Sequence, residues 1–224
     1  MYLNSDLKYN LYRFTKAHLD HYYDALSEIR QGHKLTDWID FIFPHVIGVG
    51  ADEKSEFYAI RSRAEAQAYL NNQYLCKHLF EITEALLSHK EKPIQEIFEQ
   101  EEDIKKLRSC MTLFGFVHNE YLFLMHNDIF SQVIRTFLDK GYDARAYNIT
   151  HSVPWHQLEA YEKVKDQVSD RATRQAEKEL GLAEGEYCMG MCHLIWGIEK
   201  EILKNEYSID WKTPSELDPD TRYD

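Results

Sequence analysis

The stretch "DIKKLRSCMTLF", Asp103 to Phe114, sets two cations, Lys106 and Arg108, beside two hydroxyls, Ser109 and Thr112. Together they could cradle a small anion, the cations supplying charge and the hydroxyls directional donors. At helical spacing Lys105, Arg108 and Thr112 share one face and Lys106 and Ser109 a neighbouring one, with the apolar stripe opposite Lys105. A plainer reading competes: Asp103 caps the helix, the cations are solvated, and Ser and Thr bond back to carbonyls. The residues alone lean modestly toward this plainer reading.

A second group lies in "HKLTDWIDFIFPHVIGVG", residues 33 to 50. Asp37 and Asp40 stand one helical turn apart, close enough for one carboxylate to raise the other's pKa and make an acid and a base. With His45 they could hold a divalent cation. Thr36 or Asp37 serves equally as the N-cap of a two-turn helix stopped by Pro44, and the cap is the better account. Lys34 and Trp38 complete the candidate set, Lys34 as an anion contact and Asp40 as a possible acid/base. His18 and His21 are three apart and Cys188 and Cys192 four apart, each pair placed on one helix face. Neither finds a second pair at ligand spacing, so chance and core packing explain them better than a metal. No cofactor or metal is expected. No Ser-His-Asp signature, nucleophile elbow, P-loop or dinucleotide fingerprint occurs.

The elements that must position these residues read as helices almost throughout. Tyr22, Ala25, Leu26 and Ile29 keep helical spacing ahead of a stop at Gly32. Ser62 to Glu65 reads as a capping box opening a helix through Leu70. Leu75, Leu79, Ile82 and Leu86 form the next stripe, and Pro93 opens a short helix. Acids at 99 to 103 precede a helix with Ile104, Leu107, Met111 and Phe114 inward. Ile129, Val133 and Phe137 mark another, stopped by Gly141. Residues 142–154 read as a connector and 155–181 as one long charged helix. Thr213 to Glu216, with Pro214, reads as a final capping box.

Composition bounds the rest. The 224 residues, 44% hydrophobic and 13% aromatic, suffice for a large core. A net charge of -12 with no long basic run argues against nucleic acid and anionic membranes, whose phosphates need clustered Lys and Arg. No apolar run approaches the length of a membrane span. The start lacks the pattern of a secretion signal, so the expected place is the cytoplasm, with the four cysteines reduced.

Residues 13 to about 145 resemble the bacterial family catalogued as domain of unknown function 1810, some of whose members carry a calpastatin label. The resemblance rests on "RF" at 13 and 14, "EIRQGHK" at 28 to 34, "DWIDFIFPHVIGVG", "YAIRSRAEAQAYL" at 58 to 70 and, most strongly, "DIKKLRSCMTLF". It implies an all-α, compact body and no particular activity. Asp37, Asp40, His45 and Cys110 stand where the family pattern has His, Trp, Gln and Ser; a catalytic His at the first of these positions would be lost here.

The expectation is therefore an all-α protein: a compact multi-helix bundle, residues 1–147, with a helical C-terminal extension, 148–224, packed on it. The favoured function is a cytosolic binding or interaction module without its own chemistry, self-associating or docking a protein through an apolar patch on the helix at 188 to 207. The alternative is an enzyme or sensor for a small phosphate- or carboxylate-bearing metabolite. Its pocket would lie between the Trp38 and Lys106 helices, with Lys34, Trp38, Asp40, Lys106, Arg108, Ser109 and Thr112 as candidate contacts.

Overall fold

Helix α1, Tyr12–Gln31, buries Phe14, Tyr22, Ala25, Leu26 and Ile29 along one stripe. It ends where Gly32 turns left-handed, with φ 77°, and its N–H returns to the carbonyls of Glu28 and Ile29. The structure, a computed structural model, describes residues 6–219 and 221–223. Two compact units are present, Met1–Thr150 and His151–Asp224. Both are all-α among the described residues, apart from one isolated parallel bridge between Val46 and Ile60.

In the first unit α1 is followed by α2, Ile39–Ile42, α3, Glu53–Tyr58, and α4, Arg63–Asn71. Then come α5, Gln73–Leu87, α6, Ile94–Ile97, α7, Glu101–Leu124, α8, Ile129–Phe137, and α9, Ala144–Thr150. Helix α5 packs on α1, while α7 runs against α4, α8 and α9. The expected stripes of α5 (Leu75, Leu79, Ile82, Leu86) and α7 (Ile104, Leu107, Met111, Phe114) are buried. Each such side chain contributes roughly 1.5–3 kcal/mol of burial. The α7 backbone leaves helical geometry at Asn119, whose side chain accepts from Leu122 N–H and restarts the helix. Gly115 permits that return: an added Cβ would collide with the Phe123 ring.

Several local expectations are corrected. Helix α2 is a single turn with Trp38 at its N-cap and no side-chain cap. Asp37, expected to cap it, is exposed and pairs with Lys54 at 2.8 Å. Ser62 does cap α4, but the Glu65 carboxylate accepts from Arg61 N–H and pairs with Arg13 instead of closing the box. Ile129 is only half-buried; Phe130 takes the inward place. The connector at 142–154 contains α9, started by Asp143 accepting from Ala146 N–H.

The second unit holds a 3₁₀ turn, Trp155–Gln157, then α10, Leu158–Glu162, α11, Lys165–Leu180, α12, Met191–Tyr207, and α13, Pro214–Leu217. The single long helix expected at 155–181 is thus three pieces, broken around Val164 because Val168, Leu203, Ile209 and Trp211 close into their own core. Cys188 precedes α12, so it shares no helix face with Cys192. The Thr213–Glu216 capping box with Pro214 is present as read. No helix among the described residues is long and apolar enough to cross a membrane.

Candidate functional site

Glu28, near the end of α1, is the first organising residue. Its carboxylate accepts from Leu35 N–H (2.7 Å), Thr36 N–H (3.1 Å), Thr36 Oγ1 (2.6 Å) and Trp38 Nε1 (2.7 Å). Burial pushes its pKa up, but these bonds prevail and hold it below the ordinary value. Trp38 is thereby fixed edge-on to Phe98. Lys34 pairs with Asp103 at 2.8 Å, tying this loop to the start of α7.

Asp40 lies one turn further on, at the centre of a buried polar knot. Its Oδ1 accepts from Lys106 Nζ (2.7 Å) and Ser55 Oγ (2.8 Å) and lies 3.1 Å from His45 Nε2. Lys106 Nζ also donates to Ser55 Oγ at 2.7 Å. Asp40, His45, Ser55 and Lys106 are each at most 5% exposed. Burial alone would raise the Asp40 pKa; the bonds from His45, Lys106 and Ser55, with the Lys106 charge, hold it far below the carboxylate range. A carboxylate held this way exchanges no proton near neutral pH. Gly50 roofs the knot, where an added Cβ would collide with Ser55.

The expected anion cradle is divided by this arrangement. Lys106 and Ser109 face the α2 loop, Ser109 Oγ accepting from Val46 N–H at 3.2 Å. Arg108 and Thr112 face the loop after α8. Arg108 Nη1 donates to the carbonyls of Leu138 (2.6 Å) and Gly141 (2.8 Å). Thr112 Oγ1 back-bonds to the Arg108 carbonyl and accepts from Asp143 N–H. Asp40 and Lys106 meet in the knot, Trp38 is held on Glu28 and Phe98, and Arg108 and Thr112 face the other loop.

An open cleft of about 640 Å³ lies beyond the knot, lined by Tyr12, Lys16, His21, Phe41, Lys54 and Phe57 among others. Lys54 Nζ sits 5.2 Å from the Phe41 ring centroid. Tyr12, Leu19 and Tyr23 are at least 68% exposed and, with Lys16, follow a 4-3-4 spacing on one side of α1. That pattern was legible, but the stronger inward stripe of the same helix masked it.

His18, read as an unremarkable partner of His21, is buried against His78. His18 Nε2 contacts the Phe41 carbonyl at 2.8 Å, which makes it the protonated nitrogen and leaves Nδ1 to accept from His78 Nδ1 at 3.0 Å. Burial lowers the His18 pKa to about 4; the Phe41 carbonyl opposes this and His78 adds to it. His21 is exposed. No spacing rule couples residues 18 and 78, and only the packing of α1 on α5 brings them together. Among the described residues no group of three His, Cys, Asp or Glu is arranged to hold a metal.

The family model described as "Protein of unknown function (DUF1810)" matches residues 8–150, and the chain belongs to that family. The chain is also similar to a crystal structure, the conserved hypothetical protein Rv1873 from Mycobacterium tuberculosis. Identity is 31%, the match covers 63% of this chain and 96% of that one, and the TM-score is 0.56. No curated protein matches.

Proposed function

We propose that the family unit, residues 8–150, is a protein-binding module with no chemistry of its own. It docks a partner, in the simplest case a second copy of this chain, along the outer face of α1 and the adjoining cleft. The observation that carries this reading is the exposure of Tyr12, Leu19 and Tyr23 on one side of α1, continuous at Tyr12 with the cleft that Phe57 also lines. On α12, where the sequence places the patch, Leu194, Ile195 and Trp196 are half-buried; the strongly exposed Tyr187 and Met189 precede the helix.

The alternative, an enzyme or sensor with an anion pocket between the Trp38 and Lys106 helices, has weaker support. Lys34 and Lys106 are spent on Asp103 and Asp40, and Arg108 on two carbonyls. Sedimentation of the full chain from low to high micromolar concentration tests the docking reading. Concentration-dependent association is expected for the wild type and lost in Leu19→Glu with Tyr23→Glu, whose helical circular dichroism stays unchanged. A strict monomer over the whole range would remove the self-association form of the proposal.

A further inference from the structure

A smaller pocket, about 350 Å³, opens where the turn after α7 meets the loop after α8, and it is lined by His126, Ser131, Ile134, Arg135, Lys140 and Tyr142. Its charge runs opposite to that of the chain. No acid lines it, although the net charge of the whole protein is -12. Neither the Arg135 nor the Lys140 side chain makes a hydrogen bond or ion pair among the described residues. Both side chains are exposed at the pocket rim, whereas the more enclosed Lys34, Lys106 and Arg13 each have a carboxylate partner.

The backbone around this pocket is unusual in the same place. Five described non-glycine residues have positive φ, and three are His126 (60°), Asp139 (51°) and Lys140 (58°). Two of the three line the pocket. A helix end of this kind ordinarily recruits glycine; here Gly141 comes one residue after Lys140. The conformation is held from behind, by Arg108 donating to the Leu138 and Gly141 carbonyls and by Thr112 accepting from Asp143 N–H. Strained backbone kept at a cation-lined pocket by surrounding bonds is a feature of ligand clamps.

We propose that this pocket binds the phosphate group of a small phosphorylated metabolite, with Arg135 and Lys140 as charge contacts and the Tyr142 hydroxyl as a neutral donor. Arg108 and Thr112 are positioning residues, which present Lys140 without touching the ligand. Arg135 offers a planar fork matched to phosphate oxygens and Lys140 a mobile point charge. Two cations suit a dianion better than a single carboxylate, and the volume admits a phosphate with a short carbon chain.

The test is amide chemical-shift titration of the full chain at fixed ionic strength, using inorganic phosphate, ribose 5-phosphate, acetate and chloride. Saturable shifts at His126 and Lys140 are expected with both phosphates and not with acetate or chloride. Arg135→Gln with Lys140→Gln should weaken binding at least about tenfold, while Lys16→Gln, in the α1 cleft, leaves it unchanged. Thr112→Val should weaken binding less and displace the Lys140 amide even without ligand. Equal shifts with chloride, or shifts indifferent to the double substitution, would overturn the site. Binding of inorganic phosphate with exclusion of ribose 5-phosphate would overturn the metabolite assignment.

Discussion

Lys106 and Arg135 are both cations on helices of one acidic unit, and their surroundings are opposite. Lys106 is enclosed with Asp40, Ser55 and His45 under the Gly50 loop, its ammonium donating to Asp40 and Ser55. Arg135 stands on the rim of a pocket with no carboxylate partner among the described residues. The difference teaches how to sort polar residues of equal chemical promise. A buried charge must be neutralised by the protein itself, because burying it alone costs several kcal/mol. A cation left unpaired at a concave rim carries no such penalty and keeps its charge available for something else.

The contrast can be broken first at Lys106. Lys106→Met leaves Asp40 buried with only the more distant Lys54 ammonium, 3.7 Å from its Oδ2, and should cost about 3–5 kcal/mol in urea unfolding. Adding Asp40→Asn should recover part of that loss, since the two residues act on each other directly. A cost near zero would mean that water enters the knot.

Next in size is a pH effect from the buried histidine pair. The unfolded chain protonates His18 near pH 6.5, the folded chain only near 4. The unfolded state therefore binds the extra proton between those values. Stability is full above pH 6.5 and falls as pH drops through the window, by about 3 kcal/mol in total at pH 4. Urea unfolding at several pH values should show this slope in the wild type and a flatter one in His18→Gln. Identical slopes would assign the acid sensitivity to other groups.

A smaller cost follows from the roof of the knot. Gly50→Ala sets a methyl against Ser55 and should destabilise by about 1–3 kcal/mol, as overpacking does elsewhere. Unchanged stability would show that the loop can move aside. Smallest of all, Arg135→Gln should change stability by less than about 0.5 kcal/mol. A large loss there would show that Arg135 is structural and erase the contrast with Lys106.

Helix positions were largely readable because burial repeats with the helical period: the stripes of α5 and α7 needed only the sequence. The motif chemistry was harder. "DIKKLRSCMTLF" does carry functional-looking polarity, but its residues divide between two loops, because a helix turns neighbouring side chains to different neighbours. Asp40 drew attention as one of a carboxylate pair, yet Asp37 is exposed and Asp40 is a counter-ion for Lys106. That pairing spans 66 positions, and no local pattern encodes it.

The sequence by itself determined the all-α class, most helix starts and stops, the membership suggested by its motifs, and the absence of a long basic run. These depend on local periodicity, capping and composition, each confined to a few neighbouring residues. The tertiary structure decided which charges are partners and which are unspent. It made Lys106 a tie for Asp40, joined His18 to His78, and set Arg135 beside Lys140 and Tyr142 at one pocket. Such choices depend on which helix faces meet, a property of the packed chain and not of any single segment.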